Sequence, residues 1–179
     1  MKKFFIFLVL FLVAFQVIAK DEKPKLVVMD CEDLSKRIKP KALSDTTEYL
    51  RMAFANTNKY IIIPKEQQKK QISKLKKDFN TNPSYKSSND KNYQIQLGQA
   101  LAADIMVKTT ITYFGGSFTI SSELIDITKE ATIVAAKEEY NGSQKELKIA
   151  IDKIVNKIIE VTRKKENVIK KWFQDTFTK

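Results

Sequence analysis

The first half of the chain alternates short apolar runs with longer amphipathic segments. Leu26–Met29 and Tyr60–Ile63 are apolar runs bounded by charged residues or proline, a pattern that predicts buried strands. Between them, apolar residues recur at helical spacing up to Phe54, and Ser44 is a candidate N-cap, so a helix is predicted there. The lysine-rich segment from 65 to 79 predicts a second, mostly exposed helix.

The second half of the chain changes its period. After a loop at 80–92 rich in asparagine and serine, the run IQLGQALAADIMV begins like a helix and ends like a strand. From 104 to 140 apolar and polar residues alternate, which predicts three antiparallel strands. A clean apolar stripe at 147–159 predicts a helix. We expect the charged run RKKEN to interrupt it before a second amphipathic piece that carries Val168 and Phe177.

These elements predict a single-domain α/β (α+β) fold in which a mixed β-sheet with an antiparallel β-meander is flanked by helices. Four residues are expected to have structural roles. Gly98 should let its helix approach the sheet closely, and Asp104 should mark the exposed joint between that helix and the next strand. Gly115 and Gly116 should form a hairpin turn because both positions accept positive φ.

The first residues have the order of a secretory signal peptide. Two lysines precede an apolar run from Phe4 to Phe15, and Val17-Ile18-Ala19 resembles the small-residue cleavage site of a signal peptide. We therefore expect the chain to be cleaved after Ala19, which removes residues 1–19. An uncleaved anchor is the alternative. No cysteine directly follows the apolar run, and Cys31 lies too far downstream to be lipidated, so we expect no lipobox. We therefore predict an exported, periplasmic protein, with a domain at 20–162 and a basic amphipathic C-terminal extension at 163–179.

The charge of the chain is unevenly distributed. Its net charge is +11, and removal of Lys2 and Lys3 with the signal peptide leaves +9. Basic residues are concentrated at 65–91 and at 163–179, which indicates anionic or acidic partners such as envelope proteins or lipid headgroups, and not nucleic acid outside the cytoplasm. Solvated lysine-rich faces are the alternative. The candidate interaction residues are Lys69, Lys70, Lys74, Lys76, Lys77, Lys170, Lys171, Trp172 and Phe173.

The residue inventory argues against catalysis. The chain has no histidine, which removes the commonest general base, and its single cysteine, Cys31, can form neither a thiolate zinc site nor an intramolecular disulfide. A buried, inert thiol is expected there. Asp30, Glu32 and Asp33 could hold a hard cation, although a solvated strand end suits them better. We predict no catalytic, cofactor or metal residues and no enzymatic activity.

Several motifs together resemble a group of bacterial envelope domains. The pieces are LVVMD at 26–30, TNKYIII at 57–63, LGQALAADIMV at 97–107 and SFTISSELIDITKEATIV at 117–134, with the helix at 147–159. They are similar to the curli-secretion lipoprotein CsgG, the penicillin-binding-protein activator LpoB and the amino-terminal domain of TolB. The chain departs from this pattern at Ala102 and Lys108, where glycine is common, and at Lys129, where a Thr-Gly pair is usual.

The resemblance implies a function that involves no catalysis. Members of the group generally bind other envelope proteins or assemble into rings, so the first hypothesis is a non-enzymatic interaction or accessory domain that needs no cofactor. The second is a peripheral membrane protein, in which the aromatic residues of 163–179 enter an anionic membrane surface. Packing of those aromatic residues onto the sheet is the alternative to the second hypothesis.

Overall fold

The computed structural model describes the backbone of residues 22–80 and 91–177 and the side chains of residues 22–75 and 93–168. The predicted signal peptide lies outside the described residues. The strands are β1 (Lys25–Val28), β2 (Glu32–Asp33), β3 (Ile61–Ile62), β4 (Ile105–Phe114), β5 (Ser117–Asp126) and β6 (Ala131–Tyr140). The α-helices are α1 (Pro40–Asn56), α2 (Lys65–Asn80), α3 (Lys91–Ala100) and α4 (Leu147–Phe177), and a 3₁₀ turn at Gln144–Glu146 precedes α4.

The strands form one mixed sheet in the order β3–β1–β4–β5–β6. β1 is parallel to both β3 and β4, whereas β4, β5 and β6 form an antiparallel meander. β2 also pairs with β4, with Glu32 opposite Thr110. β1 and β2 therefore pair with successive parts of the same strand, β4. The predicted fold class is therefore confirmed. β2 escaped prediction because two charged residues carry no apolar pattern.

The larger hydrophobic core lies between one face of the sheet and the helices α1 and α4. Strand residues such as Val107, Ile111 and Leu124 meet Phe54 of α1 and Ile154 of α4, and all five are fully buried. The apolar stripe predicted at 147–159 is the part of α4 that makes this contact. Burial of these side chains supplies most of the driving force for folding.

The smaller core lies on the opposite face, and its described residues cover one end of the sheet. Val27, Met106 and Ile125 from the strands pack with Leu97 of α3, and Ile72 of α2 is partly buried against them. Farther along β4 and β5, this face carries serine and threonine, with Thr110 opposite Ser121 and Thr112 opposite Thr119. Because alternate strand residues face opposite sides, one sheet serves both cores.

Two sequence predictions about the helices are wrong. α1 begins one turn before Ser44, because Pro40 occupies its first position, where the fixed φ of proline favours a helix and its missing N–H is not needed. The N-cap residue is Lys39, whose side chain makes no capping bond. RKKEN does not interrupt the last helix either, since α4 runs unbroken from Leu147 to Phe177. Lysine, arginine and glutamate are good helix formers, and Lys164 pairs with Glu160 at 2.7 Å.

Candidate interaction surfaces

One predicted interaction surface is an exposed face of α2. Lys69, Lys70 and Lys74 are all exposed, while Ile72 and Leu75 face the smaller core. None of these three lysines forms an ion pair with another described residue. We call the three lysines the α2 basic face. Lys76 and Lys77 belong to the same helix, but their side chains lie outside the described residues.

The other predicted surface falls at the end of α4. Lys170, Lys171, Trp172 and Phe173 lie in the helical backbone, but their side chains are outside the described residues. The preceding residues 163–168 are mostly exposed. α4 therefore extends beyond its buried stripe, and among the described side chains no ion pair joins this segment to the α2 basic face.

A cleft of about 650 Å³ lies beside the α2 basic face. It runs between α2, α3 and the segment after β1, and Lys69 is the candidate interaction residue on its wall. Its other polar walls include Gln68, Tyr93 and Lys108, together with the predicted acidic cluster at 30–33. Because the cleft carries charges of both signs and amide groups, it suits the polar surface of a partner protein.

The acidic residues in that cleft already have intramolecular partners. Asp30 accepts a hydrogen bond from Arg51 at 3.0 Å. Asp33 accepts hydrogen bonds from the backbone N–H groups of Ser35 and Ile38 at 2.9 and 2.6 Å. Partial desolvation raises the pKa of Asp33, but a hydrogen bond from the Ser35 hydroxyl, together with these backbone hydrogen bonds, outweighs it, so the pKa lies below its usual range. Among the described residues, no group of three or more acidic, cysteine or histidine side chains is placed to hold a metal ion.

Arg51 ties α1 to the end of β1. Its guanidinium is buried and donates to the carbonyl of Val28 and to Glu48, at 3.0 and 2.9 Å, besides Asp30. Lys65 at the start of α2 also contacts the Glu48 carboxylate. The hydrogen bond from Lys65 is the main reason that the pKa of Glu48 is lowered. This network fixes one end of the cleft, and no sequence motif indicated it.

Cys31 is the buried thiol that the sequence predicts. It is 4% exposed within the larger core, and its backbone N–H donates to the Thr47 hydroxyl at 2.9 Å. Burial raises the pKa of the Cys31 thiol to about 11, because a thiolate is poorly stabilised among apolar neighbours. The reactive form is therefore scarce at neutral pH.

The corner between α3 and β4 depends on close backbone packing. A Cβ atom added to Gly98 would lie 2.5 Å from Cδ1 of Ile127. Just beyond the end of α3, Ala102 has a φ of +49°. The N–H groups of Ala102 and Ala103 donate to the carbonyls of Gln99 and Gly98, which is a Schellman motif. Asp104 then accepts a hydrogen bond from the backbone N–H of Lys25 at 2.7 Å, which joins the corner to β1.

A second cleft, of about 880 Å³, lies between the N-terminal ends of α1 and α4. We call it the basic cleft. Its walls include Lys39, Lys41, Lys145 and Lys148 against one carboxylate, Asp45. The sequence prediction missed it because its two halves are about a hundred residues apart. The run KRIKPK at 36–41 was the available signal, but nothing in the sequence indicated the second half.

The outer edge of the sheet is covered by lysine side chains from α4. Lys157 donates to the carbonyl of Lys137 at 3.0 Å, and Lys165 donates to the carbonyl of Ile133. Lys157 also pairs with Glu138 at 2.5 Å. These bonds occupy carbonyls of β6 that would otherwise be free to pair with another strand.

No helix within residues 22–80 and 91–177 is both long enough and apolar enough to cross a bilayer.

Hairpin residues Gly115 and Gly116 have φ of +60° and +87°. They join β4 to β5 as a tight turn inside the domain sheet.

The fold is similar to that of LpoB. No family model matches the chain, and no curated protein matches it. The LpoB C-terminal domain from Escherichia coli aligns with a TM-score of 0.54 and 16% identity, over 73% of this chain and 93% of that one. The domain from Salmonella enterica aligns with a TM-score of 0.51 and 14% identity, over 73% and 91%.

A longer E. coli LpoB structure aligns with a TM-score of 0.51 and 17% identity, and the match spans 62% of its length. At these identities the likeness concerns the fold alone. The predicted resemblance to LpoB is confirmed at that level: the chain has the fold of the LpoB C-terminal domain. The resemblance to CsgG is not shown.

Proposed function

We propose that this chain is an exported, non-enzymatic accessory domain of the cell envelope that binds another envelope protein in the periplasm or assembles with copies of itself. The observation that carries the proposal is the fold, which matches the LpoB C-terminal domain over most of both chains. The resemblance drawn from the sequence implies an accessory role for such a domain. The signal-peptide pattern at 1–19 supports export.

The α2 basic face and the cleft beside it form the surface that best suits a protein partner. Exposed lysines attract an acidic partner over a distance, and ammonium groups donate several hydrogen bonds at close range. The cleft adds the exposed Ser73 and the half-buried Lys108 to the same surface. Lysines on β6 and α4 differ from these, because Lys137 and Lys164 already pair with carboxylates of the same chain.

Affinity capture from envelope extracts tests the proposal. The mature chain is the bait, and it is compared with K69Q/K70Q/K74Q on α2 and with the control K129Q/K137Q/K164Q, which loses the same charge elsewhere. We expect the wild type and the control to capture one defined protein, and the α2 variant to retain about a tenth of it or less. If no protein is enriched by any of the three baits and the chain is monomeric by light scattering, the proposal is wrong.

Membrane binding through residues 163–179 is the second candidate, and the exposure of the segment from 164 to 168 favours it. The aromatic residues of a basic amphipathic helix can lie in a lipid interface. Flotation with anionic vesicles should then recover the mature chain but lose a chain that ends at Thr162. Equal flotation of the two chains would exclude this candidate.

A further inference from the structure

We infer that the basic cleft between the N-terminal ends of α1 and α4 binds an acidic, extended segment of the protein partner. This rests on the proposed function, because it names the chemistry of the partner that the accessory domain would hold. The basic cleft lies apart from the α2 basic face, and the two clefts have no described lining residue in common.

Positive charge exceeds negative charge in and around the basic cleft, although Glu146 lies near Lys148 and Asp152 near Tyr49. Lys39, Lys41, Lys145 and Lys148 face one carboxylate among the lining residues, and Lys36 and Arg37 are exposed beside them in the chain. In the described part of the chain, none of these six residues forms an ion pair with a carboxylate. Lysines farther along α4 are neutralised by Glu138 and Glu160. Clustered like charges repel one another, and an acidic ligand relieves that repulsion.

The frame of the basic cleft is fixed by hydrogen bonds between its two halves. The Gln144 side chain donates to the carbonyl of Arg37 at 3.0 Å and accepts from the backbone N–H of Lys39 at 3.3 Å. Across the cleft, the Tyr49 hydroxyl donates to Asp152 of α4 at 2.9 Å. The lysines therefore project from a connected scaffold, so less freedom is lost when a ligand binds.

The shape of the site favours a peptide over a bilayer. A volume of about 880 Å³ is within the usual range of ligand clefts, and its walls include the ring of Tyr49, Ala42 and the hydroxyl of Ser143. An extended segment can place carboxylates against the lysines and an aliphatic side chain against Tyr49. A lipid surface cannot enter a concave site in this way, although single headgroups could reach the rim.

Fluorescence anisotropy with a labelled peptide of alternating glutamate and serine tests the inference directly. We expect the mature chain to bind this peptide, to ignore the glutamine–serine analogue, and to bind more weakly as salt is raised. K39Q/K41Q/K145Q should weaken binding by about tenfold or more, whereas K129Q/K137Q/K164Q, with the same loss of charge, should change it by less than about twofold. D45N should strengthen binding by about two- to fivefold, since it removes the opposing carboxylate.

Two results would overturn the inference. One is equal weakening by both lysine triples, which would show general attraction to a basic protein. The other is loss of binding to phosphatidylglycerol vesicles in the cleft variant while peptide binding is unchanged, which would assign the site to lipid. In the capture experiment, a cleft variant that still retains the whole partner contradicts the inference alone, whereas a wild type that captures nothing contradicts the proposed function.

Discussion

Ala102 holds a backbone conformation that costs a non-glycine residue about 1–2 kcal/mol. Its φ is +49°, and it is one of four non-glycine residues with positive φ in the described part of the chain, with Lys36, Asn58 and Glu130. One of these, Ala102, falls where the resemblance noted in the sequence leads us to expect glycine. The departure at Ala102 thus coincides with backbone strain, whereas those at Lys108 and Lys129 do not.

Replacement of Ala102 by glycine should stabilise the protein. Glycine removes the strain at positive φ but adds freedom to the unfolded chain, so we expect the free energy of unfolding to rise by about 0.5–1 kcal/mol. Urea unfolding followed by circular dichroism measures this change. A decrease would show that the added freedom of the unfolded chain outweighs the relief of backbone strain at the end of α3.

Replacement of Gly98 by leucine should have the opposite effect. The new Cβ would overlap Ile127, which is 2% exposed and cannot move without disturbing the smaller core. We expect a loss of roughly 1–3 kcal/mol in the free energy of unfolding. The matched double variant G98A/I127A separates overlap from helix propensity, because alanine at 98 should cost less once Ile127 is shortened. Additive effects of those two substitutions would contradict close packing.

At the scale of elements, β6 is an edge strand of ten residues whose protection comes from α4. The variant K157A/K165A removes the side chains that bond to its carbonyls, so we expect association that rises with protein concentration, measured by sedimentation velocity. K153A/K164A is the control, since it removes two lysines of the same helix that pair with the carboxylates of Glu138 and Glu160. Association of both variants to the same extent would show that charge alone keeps the protein dispersed.

Periodicity was enough to predict the long elements. The meander strands and the buried stripe of α4 follow from alternation and helical spacing, because each buries one regular face. The start of α1 was misplaced because a good capping residue, Ser44, competed with Pro40. β2 was missed because its two residues are held by backbone pairing with β4, and backbone pairing leaves no side-chain signature.

At the scale of the whole molecule, acid should destabilise the domain. Glu48 and Glu138 receive hydrogen bonds from Lys65 and Lys157, and Asp126 receives one from the Lys129 backbone, so all three have lowered pKa values. Unfolding restores their usual values near 4, so the unfolded chain binds more protons in acid. Their contribution is complete above about pH 5 and is lost as pH falls through the lowered values.

We therefore expect the urea midpoint to be nearly constant between about pH 5 and 8, where the chain has no histidine to titrate, and to fall below about pH 4. In the E48Q variant the urea midpoint should fall less steeply in acid, because the substitution removes one of the titrating groups. An unchanged midpoint down to about pH 3 would contradict the lowered pKa values.

The candidate surfaces differ in how far the sequence predicts them. The α2 basic face follows from composition and helical spacing within one segment, so the sequence could indicate it. The basic cleft joins residues near 40 to residues near 145, and only the packing of α1 against α4 brings them together. Charge that is assembled by tertiary structure has no local pattern in a single sequence.

We propose that this domain works by holding a protein partner in the envelope. Site-specific photo-crosslinking in living cells tests it most directly, with the photoreactive residue at position 70 or 74 of α2 and, as a control, at position 129 or 164. We predict one discrete crosslinked protein from the α2 positions that is absent from the control positions. The same bands from all four positions, or none from any, would contradict the claim.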